Sequence, residues 1–277
     1  MPKGTTPDND RSVRPVDLER AGAWLTWHGL ADVRPTPLLA ARLAARRASH
    51  LAADVLLAVF IIAVALVHTV NRSDGDAVDG AGPPLHWSLL VLTAVVAGLV
   101  LAQSLLARRV RQVDRRAAAT LPRRAAHPVR LGWRTVLGGP RVLFAVATFA
   151  GATAPAIHAL TVQESTARYA AAILLIGLGG IAAGMLVQLR HVLARPAVAD
   201  DEVSLTADVI MRVEDARYVA TPSVVWCLPT VSVLAAGLGW WTVAWLAFIA
   251  LSVVALALIT ARTAPSSTVA QHVMSDR

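Results

Sequence analysis

Apolar positions fall along this chain in long blocks, and charged residues interrupt them only at the ends. Residues 55–70 carry no charge, and counting back to Leu51 adds only Asp54. Residues 85–106 and 142–163 are each uncharged for 22 positions, and residues 169–189 for 21. Residues 218–261 are uncharged for 44 positions, too long for one membrane crossing. About 20 mostly apolar residues span a hydrocarbon core roughly 30 Å thick, so this last block suits two crossings. Its break falls at Gly237-Leu238-Gly239-Trp240-Trp241, where glycines permit a turn and tryptophans suit the interface. The pattern predicts an all-α integral membrane protein of six transmembrane helices in three hairpins. The spans lie at about 51–70, 85–106, 142–163, 169–189, 218–238 and 240–261.

The connecting segments set the expected orientation, because Lys and Arg accumulate on the cytoplasmic side. Segments 1–50, 107–141, 190–217 and 262–277 hold 8, 10, 4 and 2 of the 26 basic residues. Segments 71–84 and 164–168 hold only Arg72 and Arg168. Both termini and the two long loops are therefore expected in the cytoplasm, with the spans in the plasma (inner) membrane. The first apolar block begins about 50 residues in and is followed by others, unlike a cleaved signal peptide.

The polar segments have patterns of their own. Residues 16–33 read as an amphipathic helix with Trp24 and Trp27, lying flat in the interface or packed on the bundle ends. Pro35 and Pro37 end it, and residues 38–50 restart a helix carrying Arg42, Arg46 and Arg47 into the first span. Residues 107–119 can continue the second span out of the membrane until Pro122 stops it. Segment 107–141 holds ten Arg against one Asp, and Arg108, Arg109, Arg111, Arg115 and Arg116 are candidate contacts to anionic lipid. The same arginines serve orientation without any ligand. Segment 190–217 has the opposite sign, with four Arg against six acidic residues. A helix capped by Ser204 gives it an apolar stripe of Leu205, Val209, Val213 and Ala216. That stripe can dock a soluble partner, or the helix can fold back on the 107–141 arginines. Residues 262–277 read as a cytoplasmic tail.

Composition agrees with the pattern. The chain is 56% hydrophobic and 16% charged, with a mean hydropathy of +0.56. A soluble domain carries about 25% charged residues, so a water-soluble globule is excluded. Lys3 is the only lysine and Cys227 the only cysteine, so no internal disulfide is available.

Motifs that carry chemistry are absent. No GxxxxGK[ST], HExxH or GxSxG occurs, and Gly177-Leu178-Gly179-Gly180 falls in mid-span, where no strand-to-helix turn can form. Gly177, Gly180 and Gly184 fit helix packing instead. Pro155 and Pro229 lie inside predicted spans and, with His158, mark a candidate kink or cavity. Asp54, Gln103 and Ser104 are the polar residues near the inner span ends. A haem or metal on His68 and His158 is a distant alternative; no cofactor or metal is expected. Nucleic acid is not an expected partner, because a Pro-broken loop supplies no base-reading module.

Six spans, both termini inside and an amphipathic helix before the first span resemble the permease subunits of ABC-2-type exporters. Those permeases usually place short half-helices on the outside before span six, and Gly237–Trp241 leaves no room for them. Asp201-x3-Leu205-x2-Asp208-x2-Met211-Arg212 is similar to a loop pattern in uncharacterised actinobacterial multi-pass proteins. The layout implies a non-catalytic permease-like subunit working with a separate cytoplasmic ATPase. A membrane scaffold or regulatory subunit is the alternative. Expected partners are membrane lipids and other subunits, with a homo-oligomer left open.

Overall fold

The computed structural model describes residues 14–75, 85–120, 132–161, 163, 165–195, 202–227 and 240–275. Their regular structure is all helical, joined by short turns, with no strand among the described residues. In chain order the helices are α1 (Pro15–Trp27), α2 (Pro37–Gly75), α3 (Leu85–Thr120), α4 (Trp133–Thr161), α5 (Ser165–Ala194) and α6 (Glu202–Val219). The short α7 (Ser223–Cys227), then α8 (Trp240–Arg262) and α9 (Ser266–Ser275), complete the set. Five stretches are long and apolar enough to cross a membrane: Pro37–Leu66, Thr93–Arg116, Trp133–Thr161, Ala171–Ala194 and Val243–Arg262. Of the expected span at 218–238, only the part up to Cys227 lies within the described residues, so Pro229 falls outside them.

Two hairpins form as the hydropathy blocks require. Helix α2 packs along α3, and α4 along α5, while α3 meets α5 and α4 meets α8. The span core holds Phe60, Val64, Val96, Leu99, Ala152, Ala156, Leu174, Leu178 and Trp245. Large apolar side chains such as Leu143, Ile176, Leu186 and Leu251 stand exposed around it, the outward face that lipid would cover.

At one end the helices outrun the membrane. Thr36 starts α2 by accepting the Leu39 N–H at 3.2 Å, and Pro37 takes the first helical position, where its missing N–H costs nothing. Over its 39 residues α2 reaches about 58 Å, roughly twice what the membrane core requires. Helix α3 likewise runs on through its arginines to Thr120. The predicted amphipathic helix is shorter than 16–33. It ends at Trp27, and Gly29, at φ 77°, lets the Leu30 N–H reach back to the Leu25 carbonyl at 2.9 Å. Ala21 and Leu25 are buried, whereas Trp27 is 87% exposed.

Helix α4 begins at Trp133, well before the expected 142. Gly138 makes this start possible: its φ of 71° turns the chain ahead of Pro140, so residues 133–137 lie across the bundle end. Val136 and Leu137 become a lid on α6. Pro155 does not break α4; the one non-helical residue inside it is Gly138.

The second core surrounds α6. It joins Val136 and Leu137 to Leu205, Val209, Ile210, Val213, Ala216 and Ala220, with Ala270 of α9. Residues 207–213 are all buried. Helix α9 was expected as a plain tail, but Val269, Ala270, Val273 and Met274 pack it onto α6.

Candidate functional site

Buried charge at the arginine-rich end is the most distinctive chemistry in the fold. Arg42 and Arg46, one turn apart on α2, point at the face of α6 that carries Asp208, Arg212 and Asp215. Asp114 of α3 sits between them. It accepts from Arg42 Nε at 3.0 Å, from Arg46 Nη2 at 3.1 Å and from Arg195 Nη1 just after α5. Asp208 accepts from Arg42 Nη2 and, at 2.9 Å, from Arg212 Nε. Asp215 takes Arg46 Nε on both oxygens at 3.0 Å. Four guanidinium groups thus share three carboxylates, linking α2, α3, α5 and α6.

Burial decides the strength of this cluster. Asp208 and Arg212 are 0% exposed, and Arg42, Arg46 and Asp114 are buried as well. Removing a carboxylate from water favours its neutral form, but Arg42, Arg212 and Arg195 outweigh that and hold Asp208 below the ordinary carboxylate range. Burial likewise pushes Arg212 below the usual guanidinium value, against the pull of Asp208. Both Nη atoms of Arg212, and Nε and Nη2 of Arg195, are buried with no hydrogen-bond partner. Donor capacity exceeds acceptor capacity here, so the cluster is short of negative charge.

Beside it lies a cavity of about 190 Å3 between α2, α3, α5, the end of α6 and α7. Arg46, Asp54, Gln103, Arg111, Gln188 and Arg195 supply much of its polar wall, with Leu57, Leu99, Ile181 and Met185 on the apolar side. His50 and Tyr218, stacked at 3.7 Å between ring centroids, close one edge. Asp54, Gln103, Ser104 and Arg111, scattered in the sequence, come together here.

A smaller polar contact fastens α1. His28 shares 2.9 Å with Glu214 through Nε2 and 2.7 Å with the Trp24 carbonyl through Nδ1. Trp24 Nε1 donates to the other Glu214 oxygen at 3.3 Å. Burial disfavours the charged ring, yet Glu214 more than offsets it, and the His28 pKa stands above its ordinary value.

Several expectations are relocated. Leu205, Val209, Val213 and Ala216 do line one face of α6, but α4 and α9 cover that face, so no open docking stripe exists. Among the described residues, Asp208 and Asp215 pair with Arg42, Arg46, Arg195 and Arg212, and Glu214 with His28, rather than with the arginines of 107–141. Arg108, Arg109, Arg115 and Arg116 are exposed along α3, while Arg111 turns into the cavity. Gly180 meets Val100 at an ordinary 3.8 Å from where a Cβ would stand, and Gly184 has open space there. Both border the cavity rather than a tight helix crossing; Gly177 is buried. The close crossing is at Gly151, where a Cβ would lie 2.5 Å from Phe248. Pro155 and His158 sit toward the opposite end of α4, away from this cavity, and His158 is exposed. The side chain of His68 lies outside the described residues, among which no group of three or more metal-ligating side chains occurs.

The residues that sequence reasoning missed had a faint signal. Asp114 is the one acid in an arginine-rich segment, and Arg42/Arg46 and Asp208/Arg212/Asp215 repeat at helical spacing. No family model, curated protein or solved structure matches this chain.

Proposed function

We propose that this chain is the non-catalytic transmembrane subunit of a larger plasma-membrane assembly, acting as a scaffold or regulatory element. The observation that carries the reading is the burial of α6. An ATPase drives a membrane subunit through an exposed rigid element, and the helix best suited to that task is enclosed by its own chain on the apolar and the charged face. A helix so enclosed braces the spans against one another, as a scaffold requires. The concentration of arginine in segments 1–50 and 107–141 supports a cytoplasmic position for this end.

One observation favours a second reading, the permease-like subunit. The cavity opens between α2, α3 and α5, where a substrate path would begin. Co-purification in mild detergent separates the two. A stoichiometric partner without ATP hydrolysis supports the scaffold. A co-eluting ATPase whose rate depends on this chain replaces it with the permease, and purification of the chain alone sinks both. Orientation is tested by single cysteines at Gln163 and Arg109 in a chain with Cys227 replaced. An impermeant thiol reagent on intact cells should label position 163 and spare position 109.

A further inference from the structure

Arg46, Arg111 and Arg195 line the cavity opposite Asp54, Asp114 and Asp215, so its formal charge balances and the mismatch lies in hydrogen-bond donors. Arg195 contributes Nη1 to Asp114, but its Nε and Nη2 are buried without a hydrogen-bond partner. Asp208 stands 3.9 Å from that Nη2, and it is already bonded to Arg42 and Arg212. Arg111 lines the same cavity and forms no ion pair among the described residues. Behind them Arg212 is fully buried with both Nη atoms unmatched. A buried guanidinium with idle donors carries a desolvation cost that an oxyanion would relieve through charge-assisted hydrogen bonds.

The remaining wall defines what accompanies the oxyanion. Asp54, with no ion pair among the described residues, lies one helical turn from His50 and offers an acceptor to a hydroxyl or amine. Leu57, Leu99, Ile181 and Met185 face the span interior, and Gly184 leaves room that any side chain would occupy. A volume of about 190 Å3 has room for a phosphate with further atoms attached.

We propose that this cavity is a binding site for a phosphate oxyanion, held by Arg195 and Arg111 and carried on a lipid headgroup or a soluble phosphate. The site is distinct from the exposed arginines of α3, and it stands whether the chain is a scaffold or a permease.

The experiment uses the full-length protein in nonionic detergent and follows its thermal unfolding. The probes are dioctanoyl phosphatidic acid, inorganic phosphate, and dioctanoylglycerol, which shares the chains of the first but has no phosphate. Phosphatidic acid should raise Tm and dioctanoylglycerol should not. A shift with phosphatidic acid alone assigns the oxyanion to a lipid, and a shift with inorganic phosphate as well assigns it to a soluble source. Gly184→Leu fills the cavity without touching an ion pair, and Arg111→Gln removes a cation that no described carboxylate holds. Each should weaken the response about tenfold in apparent affinity, whereas Arg34→Gln, in the exposed link between α1 and α2, should leave it unchanged. The proposal is overturned if neither phosphate probe shifts Tm, if dioctanoylglycerol matches phosphatidic acid, or if both cavity variants respond like the wild type.

Discussion

Arg212 and Asp208 lie one turn apart on α6, joined Nε to Oδ2 at 2.9 Å, with neither side chain reaching solvent. Such an i, i+4 pair on an exposed helix contributes a few tenths of a kcal/mol. Here it is the inner part of a cluster that fastens α6 to α2, and its loss has a different scale.

Asp208→Asn leaves Arg42 and Arg212 buried with one carboxylate fewer, and should destabilise the folded protein by about 3–5 kcal/mol. Exchanging Asp208 and Arg212 together for Leu and Met should cost much less, because the uncompensated charge leaves with its partner. Thermal unfolding of the two variants in one detergent gives the comparison. The same group predicts acid sensitivity. The folded-state pKa of Asp208 is depressed, so its contribution is present above the ordinary carboxylate value of 3.8 and is lost as pH falls through the folded value. Asn at 208 should flatten the stability profile in that window.

At His28 the sign reverses. Its folded-state pKa is raised above 6.5 by Glu214, so the stabilisation is complete below 6.5 and is lost as pH rises through the raised value. Docking of α1 should loosen as pH rises above 6.5. Hydrogen exchange across residues 15–27, followed between pH 6 and 8.5 and corrected for intrinsic rates, reads this directly. Glu214→Gln should abolish the pH dependence while leaving the spans unchanged; an unaltered profile would reject the His28–Glu214 latch.

The α4–α8 crossing makes a steric prediction. A Cβ on Gly151 would stand 2.5 Å from Phe248 Cε2 and 2.9 Å from Cζ. Gly151→Ala should therefore destabilise by about 1–3 kcal/mol, the usual cost of overpacking. Phe248→Leu should recover part of that loss in the double variant. Gly184→Ala, with open space at its Cβ, should be nearly neutral.

What the sequence made legible follows from range. Hydropathy is a local property, so the blocks at 85–106 and 169–189 reappear inside α3 and α5, and Pro122 marks the end of α3 to within two residues. Gly151 was not legible, because a glycine in an apolar run says nothing about which ring will face it. The charge cluster was hidden for a related reason. Arg42 and Asp208 are 166 positions apart, and nothing in either segment names the other. Helix α6 was recognised in place but starts at Glu202, so Ser204 lies inside it rather than capping it, and its surroundings differ too: Asp208, Arg212 and Asp215 look like a solvated face until three arginines on other elements close over them.

That mistaken face yields the prediction that bears most on function. If α6 were a docking helix, Val213→Asp would release a soluble partner and leave the membrane domain intact. Val213 is instead fully buried in the core formed with Val136, Leu137 and Ala270. A carboxylate placed there has no cation assigned to it and stays uncompensated, at a cost of several kcal/mol. Val213→Asp should therefore lower Tm and expose residues 266–275 and 15–27 to protease together, since α9 and α1 both rest on α6. Val213→Leu, which keeps the site apolar, should be mild. Limited proteolysis of the detergent-solubilised variants distinguishes the cases. Loss of a partner from a Val213→Asp protein with wild-type Tm and unchanged protease resistance would restore α6 as a coupling element and, with it, the ATP-driven permease.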